Sequence, residues 1–296
     1  MPGFFFNPIS RKTFIRQSAT LVGAATVGSA LFTHASTPKR ELHFALLSDT
    51  HIAEDKLNEY RGFFPYQNLQ KVVDQLRNFK HEGLIINGDV ARLEGKVGDY
   101  QTVKNLLRPL ANNFPIHMGL GNHDDREPFF NVFPDNETAK LEGKHVSIIE
   151  SDPVRIIILD SLLYVNKVAG LLGESQRKWL TSYLKTSDNK PTVLFVHHTL
   201  GDGDTDLLDA NRMFEIIRPY QKVKAIFYGH SHRYHIEKKE NIYLVNLPAV
   251  GYNFKDDQPI GWVDAVFDEK GVKLSLQAIG GNMGENAKLS ELKWKA

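Results

Sequence analysis

Five times along this 296-residue chain, a short apolar run stops abruptly at side chains able to bind a metal ion. Leu42 to Ser48 ends at Asp49 and His51. Leu84 to Ile86 ends at Asn87-Gly88-Asp89, and Ile116 to Leu120 at Gly121-Asn122-His123. Thr192 to Val196 ends at His197-His198, and Ala225 to Tyr228 at Gly229-His230-Ser231-His232. Such short runs read as buried strands. Helical spacing lies between them: Leu69, Val72, Val73, Leu76 and Phe79 within Gln67 to Lys80, then Val103, Leu106, Leu107 and Leu110 within Tyr100 to Leu110. Gln176 to Leu184 and Asn211 to Ile217 read as further helices. His145 to Ile149 and Val154 to Leu159, joined through Ser151-Asp152-Pro153, read as a hairpin. Ile242 to Leu247, Trp262 to Phe267 and Val272 to Leu276 make the C-terminal part rich in strand. Alternating strands and helices predict a layered α/β fold. With no repeat or linker after residue 40, one domain over 39–280 is expected, followed by a tail at 281–296.

In open α/β sheets, sites form beyond the carboxyl ends of the strands. Five strand ends meeting there would gather these side chains in one cleft. In an extended segment residues i and i+2 point the same way, so Asp49 with His51, and His230 with His232, can each reach one point. Gly88, Gly121 and Gly229 precede ligand candidates, where glycine permits sharp turns and positive φ. The donor set is all oxygen and nitrogen, which suits Mn, Fe, Zn, Co or Ni better than Cu(I) or Ca. The chain has no cysteine, so disulfides, thiolate metal sites and thiol catalysis are excluded.

The first 35 residues carry Arg11, Lys12 and Arg16 and no acid. A mildly apolar stretch from Ala19 to Phe32 follows, then Thr33-His34-Ala35, which resembles a small-residue cleavage site. This is the pattern of an export signal peptide, too short to span a bilayer. Arg11-Lys12 resembles the twin-arginine signature, with lysine as the second base. The expectation is an exported protein, periplasmic or extracellular, with no stable membrane span after cleavage. Without those three bases the chain holds 33 bases against 35 acids, so −2 in place of +1. A near-neutral surface argues against nucleic acid as a partner.

Asp49-Thr50-His51, Gly88-Asp89, Gly121-Asn122-His123-Asp124, His197 and Gly229-His230-Ser231-His232, in this order, resemble the calcineurin-like metallophosphoesterases. The resemblance covers about residues 42 to 250. Leu47-Ser48-Asp49-Thr50-His51, the extended Gly121-Asn122-His123-Asp124-Asp125-Arg126, and Leu159-Asp160-Ser161 with Gln176 and Trp179-Leu180 are similar to the cyclic-nucleotide phosphodiesterase-like branch. The resemblance implies a four-layered α/β/β/α sandwich and two transition-metal ions, Mn, Fe or Zn. Asp49, His51, Asp89 and His232 would hold one ion. Asp89, Asn122, His197 and His230 would hold the other, with Asp89 bridging. His123 would stand beside the ions without binding them. From the residues themselves, His123 is the candidate general acid, and Asp124 either orients it through a hydrogen bond or caps a helix before Pro128. Arg92 has no place in that pattern, and His198 reads as packing behind His197. His43, His81, His117, His145 and His235 read as structural.

Two cations about 3.5–4 Å apart can clamp a phosphate and turn a shared water into the attacking hydroxide. The implied activity is hydrolysis of a small-molecule phosphate ester, a phosphodiester first. A phosphomonoesterase on the same centre is the alternative. A metal sensor without catalysis is disfavoured by His123, and a nuclease by the charge. Substrate choice is expected in the loops Glu54 to Pro65, Glu127 to Asn136 and Gly201 to Asp209. The last of these carries Asp202, Asp204, Asp206 and Asp209, either as a solvated acidic loop or as a barrier to polyanions.

Overall fold

The structure is a computed structural model and describes residues 40–77, 79–135 and 139–295. The leader expected at 1–35 lies outside them. Two mixed sheets face each other. The first has the order β13-β12-β11-β1-β2-β3, with β1 (Leu42–Leu47), β2 (Gly83–Asn87) and β3 (Ile116–Gly119) parallel. β11 (Pro259–Asp268), β12 (Gly271–Gly281) and β13 (Leu289–Lys293) extend it antiparallel. The second runs β4-β5-β6-β7-β8-β10-β9. Its centre is parallel: β6 (Arg155–Ile158), β7 (Thr192–Phe195), β8 (Val223–Tyr228) and β10 (Ile242–Asn246). β4 (Ala139–Leu141), β5 (Lys144–Glu150) and β9 (His235–Lys239) flank it antiparallel.

The central strands are apolar throughout because both of their faces are buried. Along β1, Phe44 and Leu46 enter the core between the sheets, while Ala45 and Leu47 face α1 (Pro65–Leu76) and α2 (Val97–Ala111). Along β7, Val193 and Phe195 face the first sheet. Leu194 instead meets α4 (Gly173–Thr186) and α5 (Ala210–Ile217). Three apolar layers thus separate four layers of secondary structure, the expected α/β/β/α sandwich.

Four elements escape the sequence pattern. β9 and β13 are edge strands of mostly exposed, charged residues, HIEKK and LSELK, with no apolar face to announce them. β13 also corrects the expectation of a tail: Leu289–Lys293 pairs with β12. β4 is a third short edge strand. The helix α3 (Arg126–Val132) occupies most of the expected loop 127–136, capped by the Asp125 side chain, which accepts from the Glu127 amide. No helix among the described residues is long and apolar enough to cross a membrane.

Candidate metal centre

The carboxyl ends of β1, β2 and β3 meet those of β7 and β8 at one end of the sandwich. Asn87, the last residue of β2, ties the two sheets there. Its side-chain amide donates to the Val196 carbonyl (3.1 Å), and its own carbonyl accepts from His197 Nδ1 (2.8 Å). The seven ligand candidates converge on this seam. His232 Nε2 lies 3.1 Å from His51 Nε2 and 3.3 Å from Asp49 Oδ1. Asp89 Oδ2 lies 3.3 Å from His197 Nε2 and 3.8 Å from His51 Nε2, so one oxygen faces both histidine groups. Donor atoms of Asp49, His51 and His232 are mutually within 4.8 Å, as are those of Asp89, His197 and His230. These triads fall within the two ligand sets that the family resemblance implies. All seven residues are buried except His230, which is half-buried.

The i, i+2 spacing works, but not through extended backbone. Asp49, His51, Asp89, His230 and His232 all adopt left-handed φ, between 46° and 69°. L-residues other than glycine rarely do so, and Asp and His are among those that tolerate it best. The glycines also act differently from the expectation. Among Gly88, Gly121 and Gly229 only Gly88 has positive φ (83°). Gly121 and Gly229 are required by close approach: a Cβ would stand 2.2 Å from Asp89 Oδ1 at the first and 2.5 Å from Asp49 Oδ2 at the second.

Hydrogen bonds fix which atom of two of the rings faces the centre. His197 Nδ1 donates to the Asn87 carbonyl and His232 Nδ1 to the Tyr252 carbonyl (2.6 Å), so each turns Nε2 inward. Ser48 Oγ and the His230 amide donate to Asp49, and the His123 amide donates to Asp89 Oδ1 (2.8 Å). Asn122 Oδ1 and His197 Nε2 are buried without a well-directed hydrogen bond. An orphaned amide oxygen and a histidine nitrogen facing a carboxylate fit cations better than a closed polar network.

The carboxylates and histidines offset one another's charge. Burial opposes ionisation of Asp49, yet His232 and His197 hold its carboxyl well below the usual range. Asp89 is lowered against burial by His197 and His51. His197 is pushed up to about 10, because the charges of Asp89 and Asp49 overcome burial. Burial drives His51 well down and His230 down to about 4, leaving their rings neutral and able to coordinate.

His123 is half-buried at the mouth. Its Nδ1 donates to the Leu93 carbonyl (3.0 Å), and one of its ring nitrogens stands within 4.8 Å of His51 and Asp89 donor atoms. Asp124 does not orient it. Asp124 is fully buried and accepts from the Val90, Ala91 and Gly121 amides and from Tyr100 Oη, bracing the Asp89 and Asn122 turns against each other. Burial, then the charge of Asp89, push its carboxyl up to about 6. Asp124 is therefore a scaffold residue, which corrects its expected catalytic part. His198 packs behind His230 at 4.8 Å and pairs with Ser161 Oγ (2.7 Å). Among the described residues, no metal-competent group includes His43, His81, His117, His145 or His235.

Sequence reasoning missed the aromatic wall. Tyr252 and Phe254, in the loop after β10, line a cavity of about 330 Å³ over the centre with Val168, Thr199, Thr205, Asp206 and Ser231. Tyr252 packs against His51 (4.7 Å) and His232 (4.6 Å). Arg92 lies over Tyr60 at 4.8 Å and 5.8 Å from the Tyr252 ring, so it belongs to this wall. The Gly251-Tyr252-Asn253-Phe254 string follows no recognisable motif, and its only signal is two aromatics in a loop. Asp209, by contrast, leaves the acidic loop to cap α4, accepting from the Leu172 and Gly173 amides and pairing with Arg177.

Residues 42–234 match the family model for the calcineurin-like phosphoesterase domain. The chain is 24% identical over 229 residues to a probable cyclic nucleotide phosphodiesterase of Ruthia magnifica subsp. Calyptogena magnifica, an alignment covering 74% of this chain and 90% of that protein. It is 25% identical over 231 residues to the glycerophosphodiester phosphodiesterase GpdQ of Enterobacter lignolyticus, covering 73% and 81%. A dimetal phosphatase from Danio rerio has the same fold, with a TM-score of 0.67 at 14% identity over 86% of this chain and 99% of the other. With that match over residues 42–234, which contain all five strand-end motifs, the chain belongs to the calcineurin-like phosphoesterase family.

Proposed function

We propose that this chain is an exported phosphodiesterase working at a dinuclear centre of Asp49, His51, Asp89, Asn122, His197, His230 and His232. The observation that carries this reading is Asp89 Oδ2, within 3.8 Å of His51 Nε2 and 3.3 Å of His197 Nε2, one carboxylate oxygen between two sets of donors. When bound, two Mn, Fe or Zn ions supply an activated water and charge neutralisation for the phosphate. The protein contributes the rest. Asp49 and Asp89 would hold the ions, while Nδ1 hydrogen bonds fix His197 and His232. His123, with Nδ1 committed to the Leu93 carbonyl, protonates the leaving alkoxide through Nε2.

Diester over monoester is favoured by Asp206, a carboxylate lining the mouth. A monoester dianion meets more repulsion there than a diester monoanion. The names of the curated relatives point the same way. The test is turnover by the Mn²⁺-loaded full-length chain of bis-p-nitrophenyl phosphate against p-nitrophenyl phosphate. The diester is expected to have the higher kcat/KM, and a reversed order would transfer the reading to a phosphomonoesterase. Export is tested separately, by fusing residues 1–38 to a reporter, which is expected to leave the cytoplasm.

A further inference from the structure

The three histidines that follow β7 and β8 into the centre are held by unlike means. His197 and His232 are each fixed through Nδ1 by a backbone carbonyl, that of Asn87 and that of Tyr252. No hydrogen bond among the described residues holds the His230 ring; only its amide is engaged, on Asp49. Packing takes the place of that bond. The ring of His198 lies 4.8 Å from that of His230, tilted by 40°, and the ring of His197 stands nearly perpendicular (79°) at 5.3 Å.

His198 is itself locked. It is fully buried, with Nδ1 2.7 Å from the buried Ser161 Oγ. Its ring also presses on the backbone of Gly170, where a Cβ would collide with the ring Cγ, Nδ1 and Cδ2. The φ of Gly170 is not left-handed, so glycine serves there to make room for the ring. Gly170 is pinned in turn: its amide donates to the Asp206 carbonyl (3.0 Å), and its carbonyl accepts from the Leu208 amide (2.9 Å). His198 Nε2 is buried with no hydrogen-bond partner. One nitrogen thus serves Ser161, and the rest of the ring is packing surface.

We propose that His198 is the positioning residue for His230: wedged between Gly170 and His230 and tied to Ser161, its ring holds the His230 imidazole in the orientation that meets an ion. The proposal rests on the dinuclear reading of the centre and adds that its two ion sites are supported differently. The site of Asp49, His51, Asp89 and His232 has His232 anchored by the Tyr252 carbonyl. The site of Asp89, Asn122, His197 and His230 depends at His230 on a neighbouring side chain. A ligand ring held in place beforehand costs less to order when an ion arrives. Groups that orient metal ligands in this way commonly carry about 10–100-fold in metal affinity. Removing the wedge should therefore act on one ion and spare the other, because the carbonyl bonds of His197 and His232 do not involve His198.

The experiment is chelator titration of the Zn²⁺-loaded full-length chain, which resolves the release of the two ions. His198→Ala should weaken one of them by about 10–100-fold and leave the other within about twofold. Gly170→Ala, which pushes the ring from its seat, should weaken the same ion, and Ser161→Ala should do so less. His198→Phe, which keeps a planar ring, should recover most of the loss. Long-range ¹H–¹⁵N spectra of the imidazoles, with and without Zn²⁺, identify the ring that moves: His230 should shift or broaden in His198→Ala, and His51 and His232 should not. A merely structural role would loosen both ions alike; that outcome, or unmoved His230 resonances, would overturn the proposal. So would a His198→Phe protein no better than His198→Ala. If alanine prevents folding, His198→Leu, which fills the volume without a planar ring, takes its place with the same expectations. A wild type that releases a single ion would instead sink the dinuclear reading, and the His230 resonances alone would then decide the positioning role.

Discussion

Two buried acidic centres in this molecule are balanced in opposite ways. Asp160, fully buried behind β6, is neutralised by the chain itself. Arg126 clasps it with two bonds (2.7 and 2.8 Å), Lys144 stands 3.9 Å away, and the His145 and Leu162 amides donate to it. Gln176 closes the knot, accepting from the Asp160 amide and donating to its carbonyl. Asp49 and Asp89 have no arginine or lysine beside them among the described ion pairs; their neighbours are histidines. A carboxylate matched by built-in cations is a structural element. A pair surrounded by neutral-capable rings and an orphaned amide oxygen is left for ions from solution.

That contrast can be attacked from both sides. The largest effect is expected at Asp89. Asp89→Ala should lose both ions and hydrolysis together, and elemental analysis showing a full complement of metal would refute the bridge. Next is His123→Ala, which should keep its metal and lose about 10²–10⁴-fold in rate, more for alkyl than for nitrophenyl leaving groups. Equal losses for both would remove the general-acid role. Asp160→Ala should destabilise the fold by about 3–5 kcal/mol, because it strands Arg126 and Lys144. Denaturant melts measure this, and a loss below about 1 kcal/mol would mean that Asp160 is not the knot described. The two centres should also act independently. Mn²⁺ at a hundred times its Kd should add about 2.7 kcal/mol to wild type and to Asp160→Ala alike, and nothing to Asp89→Ala.

The smallest effect concerns a histidine outside both centres. Burial lowers His117 to about 4, from an ordinary value of 6.5. Between those values the unfolded chain binds a proton that the folded chain does not, so stability falls as pH drops from about 6.5 to 4. His117→Gln should flatten that part of the pH–stability curve by about 1 kcal/mol, allowing for partial exposure of the ring. An unchanged slope would show that the ring titrates normally.

The convergence of the candidate ligands is legible because each stands where an apolar run breaks off, and because strand ends converge in such folds. The branch-specific strings were readable too, although their role was not: Arg126, Asp160 and Gln176 prove to be one structural knot. Three things were hidden. Asp124 looks like a partner for His123 in sequence, but its carboxylate serves the backbone of two other turns. β9 and β13 lack an apolar face, so periodicity passes over them. Tyr252, Phe254 and Arg61 form one wall only through contacts between residues some 190 positions apart, such as Arg61 with Asn253 at a separation of 192. No local pattern encodes such a contact.

The left-handed turns at Asp49, His51, Asp89, His230 and His232 carry a consequence for anyone trying to engineer this protein. Each conformation disfavours an L side chain by about 1–2 kcal/mol. A directed-evolution campaign that selects for heat resistance in chelator would find glycine attractive at these five positions, since it relaxes the turns at once. Its winners would be sturdier and empty-handed. Selection run in manganese reverses the incentive, because there the ions reward the very geometry the backbone resists.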